Sequence, residues 1–325
     1  GLWETTTLAF FSDHGFHLGD RDTWRKFTLW EEAAAIPLVI VDPTLDGGTT
    51  VTTPASILDI WPTLAGLADV AGPVDGNGID LFGDTAREGV ITSAYGSLSI
   101  RTEEWRYTVY QDGEEELFGA ADGMVHAHDQ SSGNQPVLDE MRALLKKEAT
   151  AYGVELVLDG TTARGTAGDD IFTLIGQGEA LGKAGDDIYF ITEDGSIVER
   201  KGGGHDTAMV ATTGRYKLAD YVEEGVLVGN STGRLVGNAL ANKLIGAGGS
   251  NVLNGKGGAD RIDGGDGNDR LVGGKGRDTL TGGHGADIFV FKSGFGRDKV
   301  TDFDAKKDRI QIEAGYDVVK RGDNV

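Results

Sequence analysis

Gly255-Lys256-Gly257-Gly258-Ala259-Asp260-Arg261-Ile262-Asp263-Gly264-Gly265-Asp266-Gly267-Asn268-Asp269-Arg270-Leu271-Val272-Gly273-Gly274-Lys275-Gly276-Arg277-Asp278-Thr279-Leu280-Thr281 decides the architecture of the second half of this chain. Glycine returns every nine residues, at 237, 246, 255, 264, 273 and 282. In the same register come Asn242, Asn251, Asp260, Asp269, Asp278 and Asp287, and two residues later Leu244, Leu253, Ile262, Leu271, Leu280 and Phe289. A disordered glycine-rich linker has no reason to place an apolar residue at every ninth position. Six glycine-rich residues form a tight turn whose carbonyls can face an ion, and three form a short strand with its middle side chain turned inward. Two such units complete one coil, so residues eighteen apart stack at the strand spacing of about 4.8 Å. Asp260 then neighbours Asp278, and Asp269 neighbours Asp287. Carboxylates held that close repel unless a cation lies between them. Calcium, with about six to eight oxygen ligands, suits carboxylates combined with turn carbonyls.

The repeat, G-G-x-G-x-D-x-U-x, resembles the nonapeptide of repeats-in-toxin (RTX) proteins, which implies an all-β parallel β-roll that binds Ca2+. A less regular array precedes it. Gly165-Thr166-Ala167-Gly168-Asp169-Asp170 and Gly182-Lys183-Ala184-Gly185-Asp186-Asp187 match the motif, and Gly203-Gly204-His205-Asp206 matches in part. Asp170 and Asp187 are further metal candidates. Their separation of seventeen rather than eighteen predicts irregular stacking of these turns. Asn242 and Asn251 keep the geometry but lose charge.

The segment from Asp287-Ile288-Phe289 through Asp298 and Asp302 to Asp308-Arg309-Ile310 is similar to the C-terminal cap of secreted RTX proteins. That resemblance implies an extracellular protein exported by a type I secretion machinery that reads an uncleaved C-terminal signal. Arg321-Gly322-Asp323-Asn324-Val325 does not read as a finished signal, so the expectation is a sequence cut short there.

The first half has a different grammar. Thr6-Thr7-Leu8-Ala9-Phe10-Phe11 reads as a buried central strand of an α/β sheet. Asp13 and His14 follow at its carboxyl end, where ligands of such sheets gather. An adjacent carboxylate and imidazole there can form half of a divalent-metal site. Thr53 and Pro54 predict the start of a helix through Ile57, Leu58 and Ile60. Residues 98–110 alternate as strands, with a hairpin turn at Gln111-Asp112-Gly113. Pro136 opens a helix carrying Val137, Leu138, Met141, Leu144 and Leu145 at helical spacing.

Ser12-Asp13-His14-Gly15, Leu18-Gly19 and Trp24-Arg25-Lys26 resemble the C-terminal half of the sulfatase family, of the iduronate- and choline-sulfatase type, within the alkaline-phosphatase-like superfamily. Ile57-Leu58-Asp59-Ile60-Trp61-Pro62-Thr63-Leu64, Gly78-Ile79-Asp80-Leu81 and Trp105-Arg106-Tyr107 continue the series. The resemblance implies Asp13 and His14 as ligands of the active-site cation, usually calcium, and Lys26 as a contact to the sulfate. It also implies a nucleophile made from the cysteine or serine of a C/S-x-P/A-x-R motif. The chain has no cysteine and no such serine motif. The reading is of a sequence that begins inside the catalytic domain and hydrolyses nothing by itself. His17, Asp20 and Asp22 read as loop residues, and His126 and His128 as surface histidines rather than a zinc pair.

These readings divide the chain into 1–153, the C-terminal part of an α/β sulfatase-like domain; 154–291, a β-roll with an irregular array at 159–210 and a regular one at 237–290; and 292–325, a cap and secretion region. A net charge of −22 argues against nucleic acid and anionic membrane as partners and for bound cations. No stretch approaches the roughly eighteen apolar residues of a membrane span. The fullest reading is part of a secreted, calcium-dependent sulfuric ester hydrolase acting on a sulfated small molecule or polysaccharide. Two others remain open. One is a phosphodiesterase or phosphonate hydrolase of the same superfamily. The other is a non-catalytic calcium-binding surface or adhesion protein with a vestigial sulfatase segment.

Overall fold

The computed structural model describes residues 2–12, 29, 34–45, 47–48, 50–70, 77–94, 97–110, 113–119, 129–157, 160–192, 194–229 and 231–312. Asp13, His14, Lys26, His126 and His128 lie outside them. The chain forms two compact units, one of Gly1–Tyr110 with Glu114–Tyr152, the other of Gly153–Val325 with Gln111–Gly113.

In the first unit, β1 (Leu8–Phe11) pairs antiparallel with β2 (Leu38–Val41) in a two-stranded sheet. This corrects the expectation of a buried central strand. Leu8, Phe10 and Phe11 are exposed; β2 is the only described strand paired with β1, and Ala9, Leu38 and Ile40 are no more than half-buried. Helix α1 (Ile60–Leu67) is preceded by a single 3-10 turn, Ile57–Asp59. The cap is Ser56 and not Thr53. Its side chain accepts from the Leu58 amide while Asp59 accepts from the Ser56 amide, a reciprocal capping box.

Asp59 is fully buried and also ties α1 to the loop beyond it. Its carboxylate accepts from the Ile79 amide at 2.8 Å and from Arg87 Nη2 at 2.6 Å. Thr63 Oγ1 donates to the Asp59 carbonyl and accepts from the Leu81 amide. The Ile57–Leu64 and Gly78–Leu81 motifs are therefore two halves of one buried polar network. Such a network strongly resists loss of either charged member.

Strands β3 (Val90–Ala94), β4 (Ser97–Arg101), β5 (Trp105–Val109) and β6 (Glu115–Gly119) form an antiparallel meander in that order. The β5–β6 hairpin spans the predicted turn. Helix α2 (Gln135–Ala151) packs on β3, β4 and β5 through Leu138, Met141, Leu145 and Ala149. Pro136 sits in its first turn, where its missing amide costs nothing.

The second unit is a parallel roll. One wall is a nine-stranded sheet built from 154–157, 171–174, 188–191, 207–210, 224–227, 243–245, 261–263, 279–281 and 299–300. The facing wall comprises three strands, 162–164, 179–181 and 196–198, then six more, 215–217, 234–236, 252–257, 270–275, 288–291 and 309–312. The irregular array stacks in full register with the regular one, contrary to the expectation from its spacing. Successive partners on the nine-stranded wall are 17, 17, 19, 17, 19, 18, 18 and 20 residues apart. The turns absorb each missing or extra residue, and the strands stay aligned.

From residue 171 onward the second residue of each strand faces the space between the walls. Phe172, Tyr189, Ala208, Gly225, Leu244, Ile262, Leu280 and Val300 line up on one side. Tyr216, Leu235, Leu253, Leu271, Phe289 and Ile310 line up on the other. Where the first column shrinks to Gly225, Leu218 and Leu235 take the room, lying 3.0 and 3.1 Å from where a Cβ on Gly225 would sit. Each such buried side chain contributes about 1.5–3 kcal/mol.

Candidate metal centres of the roll

From residue 171 onward on the nine-stranded wall, and before the last four strands of the other, the residue just before the strand carries the chemistry. On the nine-stranded wall these residues are Asp170, Asp187, Asp206, Glu223, Asn242, Asp260, Asp278 and Asp298; on the other wall Asn251, Asp269, Asp287 and Asp308. They form two ladders. Beyond Asp170, each carboxylate spends one oxygen on the amide of the residue stacked one coil earlier. Asp278 Oδ1 accepts from the Asp260 amide at 2.8 Å, and Asp298 Oδ1 from the Asp278 amide at 3.0 Å. Asp287 Oδ1 accepts from the Asp269 amide at 2.9 Å, and Asp308 Oδ1 from the Asp287 amide at 3.0 Å. The same bond joins Asp260 to Asn242, Asp269 to Asn251, Asp187 to Asp170 and Asp206 to Asp187.

The second oxygen is the informative one. Oδ2 of Asp206, Asp260, Asp269, Asp278 and Asp287 is buried and has no hydrogen-bond partner. A buried, unpaired carboxylate oxygen is costly unless a proton or a cation meets it. Burial therefore pushes the carboxyls of Asp260, Asp269 and Asp206 up to about 7 and those of Asp278 and Asp187 to about 6; Asp287 moves the same way. The stacked amide opposes the shift, and neighbouring carboxylates add to it.

Carbonyl oxygens converge on the same places. A methyl group on Gly264 would meet Asp269 Oδ2 at 2.5 Å and collide with the Gly282 carbonyl. On Gly255 it would collide with Asp260 Oδ2 and meet the Gly273 carbonyl oxygen at 2.7 Å. Glycine at this first repeat position is thus required for close approach, not for its φ. Each place collects a carboxylate oxygen and a backbone carbonyl from the next coil, an all-oxygen donor set of the kind a hard divalent cation takes. The residues present fit calcium.

The ladder does not treat every candidate alike. Asp170 is only partly buried, and its Oδ2 is satisfied by the amide of Thr166 at 2.6 Å. Asp187 keeps company that repeat counting did not find. One carboxylate oxygen each from Asp187, Glu199 and Asp206 lie within 4.8 Å of one another. Repeat counting also passes over Glu223, inside the first ladder, and Asp298 and Asp308, which close the two ladders. Asp298 and Asp308 lie twenty and twenty-one residues beyond their partners, off any nine-residue count. Their signal is the short apolar strand that follows each of them.

The fold and these ladders define a parallel β-roll built to hold divalent cations. Residues 236–271 and 263–297 match the RTX calcium-binding nonapeptide repeat, and residues 1–70 match the sulfatase family. The chain therefore joins a sulfatase-like α/β segment to RTX repeats that bind Ca2+. Over 125 residues it is 29% identical to a sulfatase of Formosa agariphila, covering 36% of this chain and 25% of that protein. Over 130 residues it is 34% identical to the choline-sulfatase of Rhizobium meliloti, covering 36% and 25%. A solved 2-O GAG sulfatase aligns with 22% identity and a TM-score of 0.41, over 46% of this chain and 37% of that one. The chain spans about a quarter of the length of the curated relatives it matches.

Proposed function

We propose that this chain is part of a secreted, calcium-dependent sulfatase whose RTX roll is a calcium-triggered folding module. The observation that carries the roll's role is the repeated, buried carboxylate oxygen without a partner, five times along two ladders. Where calcium is scarce, these oxygens repel and the glycine-rich turns favour the unfolded chain. Extracellular modules bind calcium at about 10⁻⁴–10⁻³ M, so calcium outside the cell makes binding and folding one event. Asp260, Asp269, Asp278 and Asp287 are the proposed ligands, with Asp206 and the facing glycine carbonyls. The ion supplies the positive charge that lets these carboxylates stay ionised in the dry turns. Asp170, already satisfied by Thr166, contributes less.

The sulfatase reading rests on the matched segment and on the named relatives. Asp13 and His14 then hold the active-site cation and Lys26 contacts the sulfate of a sulfated small molecule or polysaccharide, roles supported by motif resemblance. These 325 residues contain neither cysteine nor a serine version of the nucleophile motif, so this chain alone is inferred not to turn over. Export by a type I machinery and an extracellular location follow from the RTX resemblance.

Circular dichroism of the full chain, titrated from chelator to millimolar calcium, tests the module. The expected result is a gain of β signal and of Tm with calcium. An unchanged spectrum and Tm refute it. For the catalytic reading, the gene carrying this sequence is expressed with any in-frame upstream region. Sulfate-ester hydrolysis that Asp13→Ala abolishes supports the assignment, and unchanged hydrolysis in that variant overturns it.

A further inference from the structure

Glu199 sits where the repeat should have glycine. Gly165, Gly182 and Glu199 each follow the strand of one coil on the second wall, seventeen residues apart. At the first two the missing Cβ leaves room for the aspartate oxygen of the turn, and at Gly182 that room is filled. A methyl group there would collide with Glu199 Oε1, Tyr189 Oη and Asp187 Oδ2 together. Glu199 has therefore turned its carboxylate into the turn, toward Asp187 and Asp206.

We propose that Asp187, Glu199 and Asp206 form a divalent-cation site of their own. In it a side-chain carboxylate from the first-glycine column replaces a backbone carbonyl of the repeat site, and Tyr189 stands beside it. Three observations support it. The three residues bring carboxylate oxygens within 4.8 Å of one another. Asp206 is fully buried, and its Oδ2 has no partner. The neighbours do not neutralise the cluster. Arg200 Nε donates to the Lys183 carbonyl and Lys183 Nζ to the Gly165 carbonyl. His205 is exposed and faces Glu224. Glu223, through its bond to the Asp206 amide, adds further negative charge.

The phenol of Tyr189 donates to Glu199 Oε1 and lies 3.3 Å from Asp187 Oδ2. It carries one proton and no charge, so it orients the carboxylates without compensating them. Tyr189 is itself fixed by burial and by stacking on Phe172, with ring centroids 5.1 Å apart. Three carboxylates around one ion exceed the charge of the repeat sites, and ligand charge is what tightens calcium binding. This site should fill first and pin the irregular array.

The proposal rests on the reading of the roll as a cation-binding module, and its test separates the two. Calorimetric titration of the full chain with calcium is compared for the parent, Glu199→Gln and Glu199→Gly, with Tb3+ as a luminescent probe. Glu199→Gly restores the glycine of the other coils and so keeps the turn. Both variants should lose the tightest binding event, or weaken it roughly tenfold or more, while the remaining stoichiometry and the calcium-induced gain in Tm persist. Tyrosine-sensitised Tb3+ emission should fall in both and in Tyr189→Phe, which retains the carboxylates and the calcium stoichiometry. Unchanged titrations and emission in the Glu199 variants overturn this site alone. Absence of calcium binding in the parent overturns the module with it.

Discussion

Asp278→Asn should make the roll more stable without calcium and less responsive to it. In the native chain Asp278 Oδ1 accepts the Asp260 amide, and Oδ2 is buried without a partner. Asparagine removes the buried charge, and Asn242 shows how the ladder accepts an amide: its Oδ1 accepts from the Asn238 amide of its own turn, and its Nδ2 donates to the Val222 and Glu223 carbonyls of the coil before. The size follows from the carboxyl's displacement to about 6, roughly two units above its ordinary value of about 3.9. At about 1.4 kcal/mol per unit, keeping this group ionised in the fold at pH 8 costs at most about 3 kcal/mol. Relaxation of the turn around the charge reduces that toward about 1.5 kcal/mol.

The sign is set by linkage. The folded state binds the proton more tightly than the unfolded chain. The native stability is therefore fully present below about pH 4 and is lost as pH rises through about 6. Asp278→Asn removes that loss. In chelator at pH 8 the variant should melt roughly 3–12 °C above the parent, at about 2–4 °C per kcal/mol for a unit this size. Near pH 4 the difference should vanish. In millimolar calcium the order should reverse, because the variant has lost a ligand charge. Melting curves in chelator and in calcium at the two pH values give the answer. A variant no more stable than the parent in chelator at pH 8, or an advantage that persists at pH 4, would refute the reasoning.

Calcium affinity itself should weaken by at least about tenfold from pH 8 to pH 5, because protons compete for carboxyls displaced to about 6–7 at Asp187, Asp206, Asp260, Asp269 and Asp278. Titration calorimetry at the two pH values checks this, and a pH-independent affinity contradicts it. Gly276 has φ +145°, and a methyl group there would strike the Gly258 carbonyl, whereas one on Gly257 meets nothing nearer than the Lys275 carbonyl oxygen at 4.0 Å. Gly276→Ala should cost about 3 kcal/mol or more in urea unfolding, and Gly257→Ala no more than about 0.5 kcal/mol; equal costs would mean the close stacking of turns is not limiting.

The roll was legible because its period is written in residue types. A glycine, an aspartate and an apolar residue recur nine apart, and each has a distinct physical duty. Local chemistry likewise announced α2, through Pro136 and its apolar spacing, and the β5–β6 hairpin, through Gly113 at φ +90°. What the sequence alone left open depends on neighbours distant in the chain. The seventeen-residue spacing of Asp170 and Asp187 looked like a fault until the stacked strands showed the turns absorbing it. β1 has β2 as its one described partner strand and leaves Leu8, Phe10 and Phe11 exposed, which no apolar run of four residues can disclose. Asp59 and Arg87, 28 residues apart, meet only once α1 and the loop beyond it are folded. Glu199 reads as an ordinary acidic residue until the coil sets it in a glycine column, where the space vacated by Gly182 turns it inward. Periodicity determines which residues share a column; only tertiary packing decides which of their polar atoms are buried without partners, and there the chemistry of this protein resides.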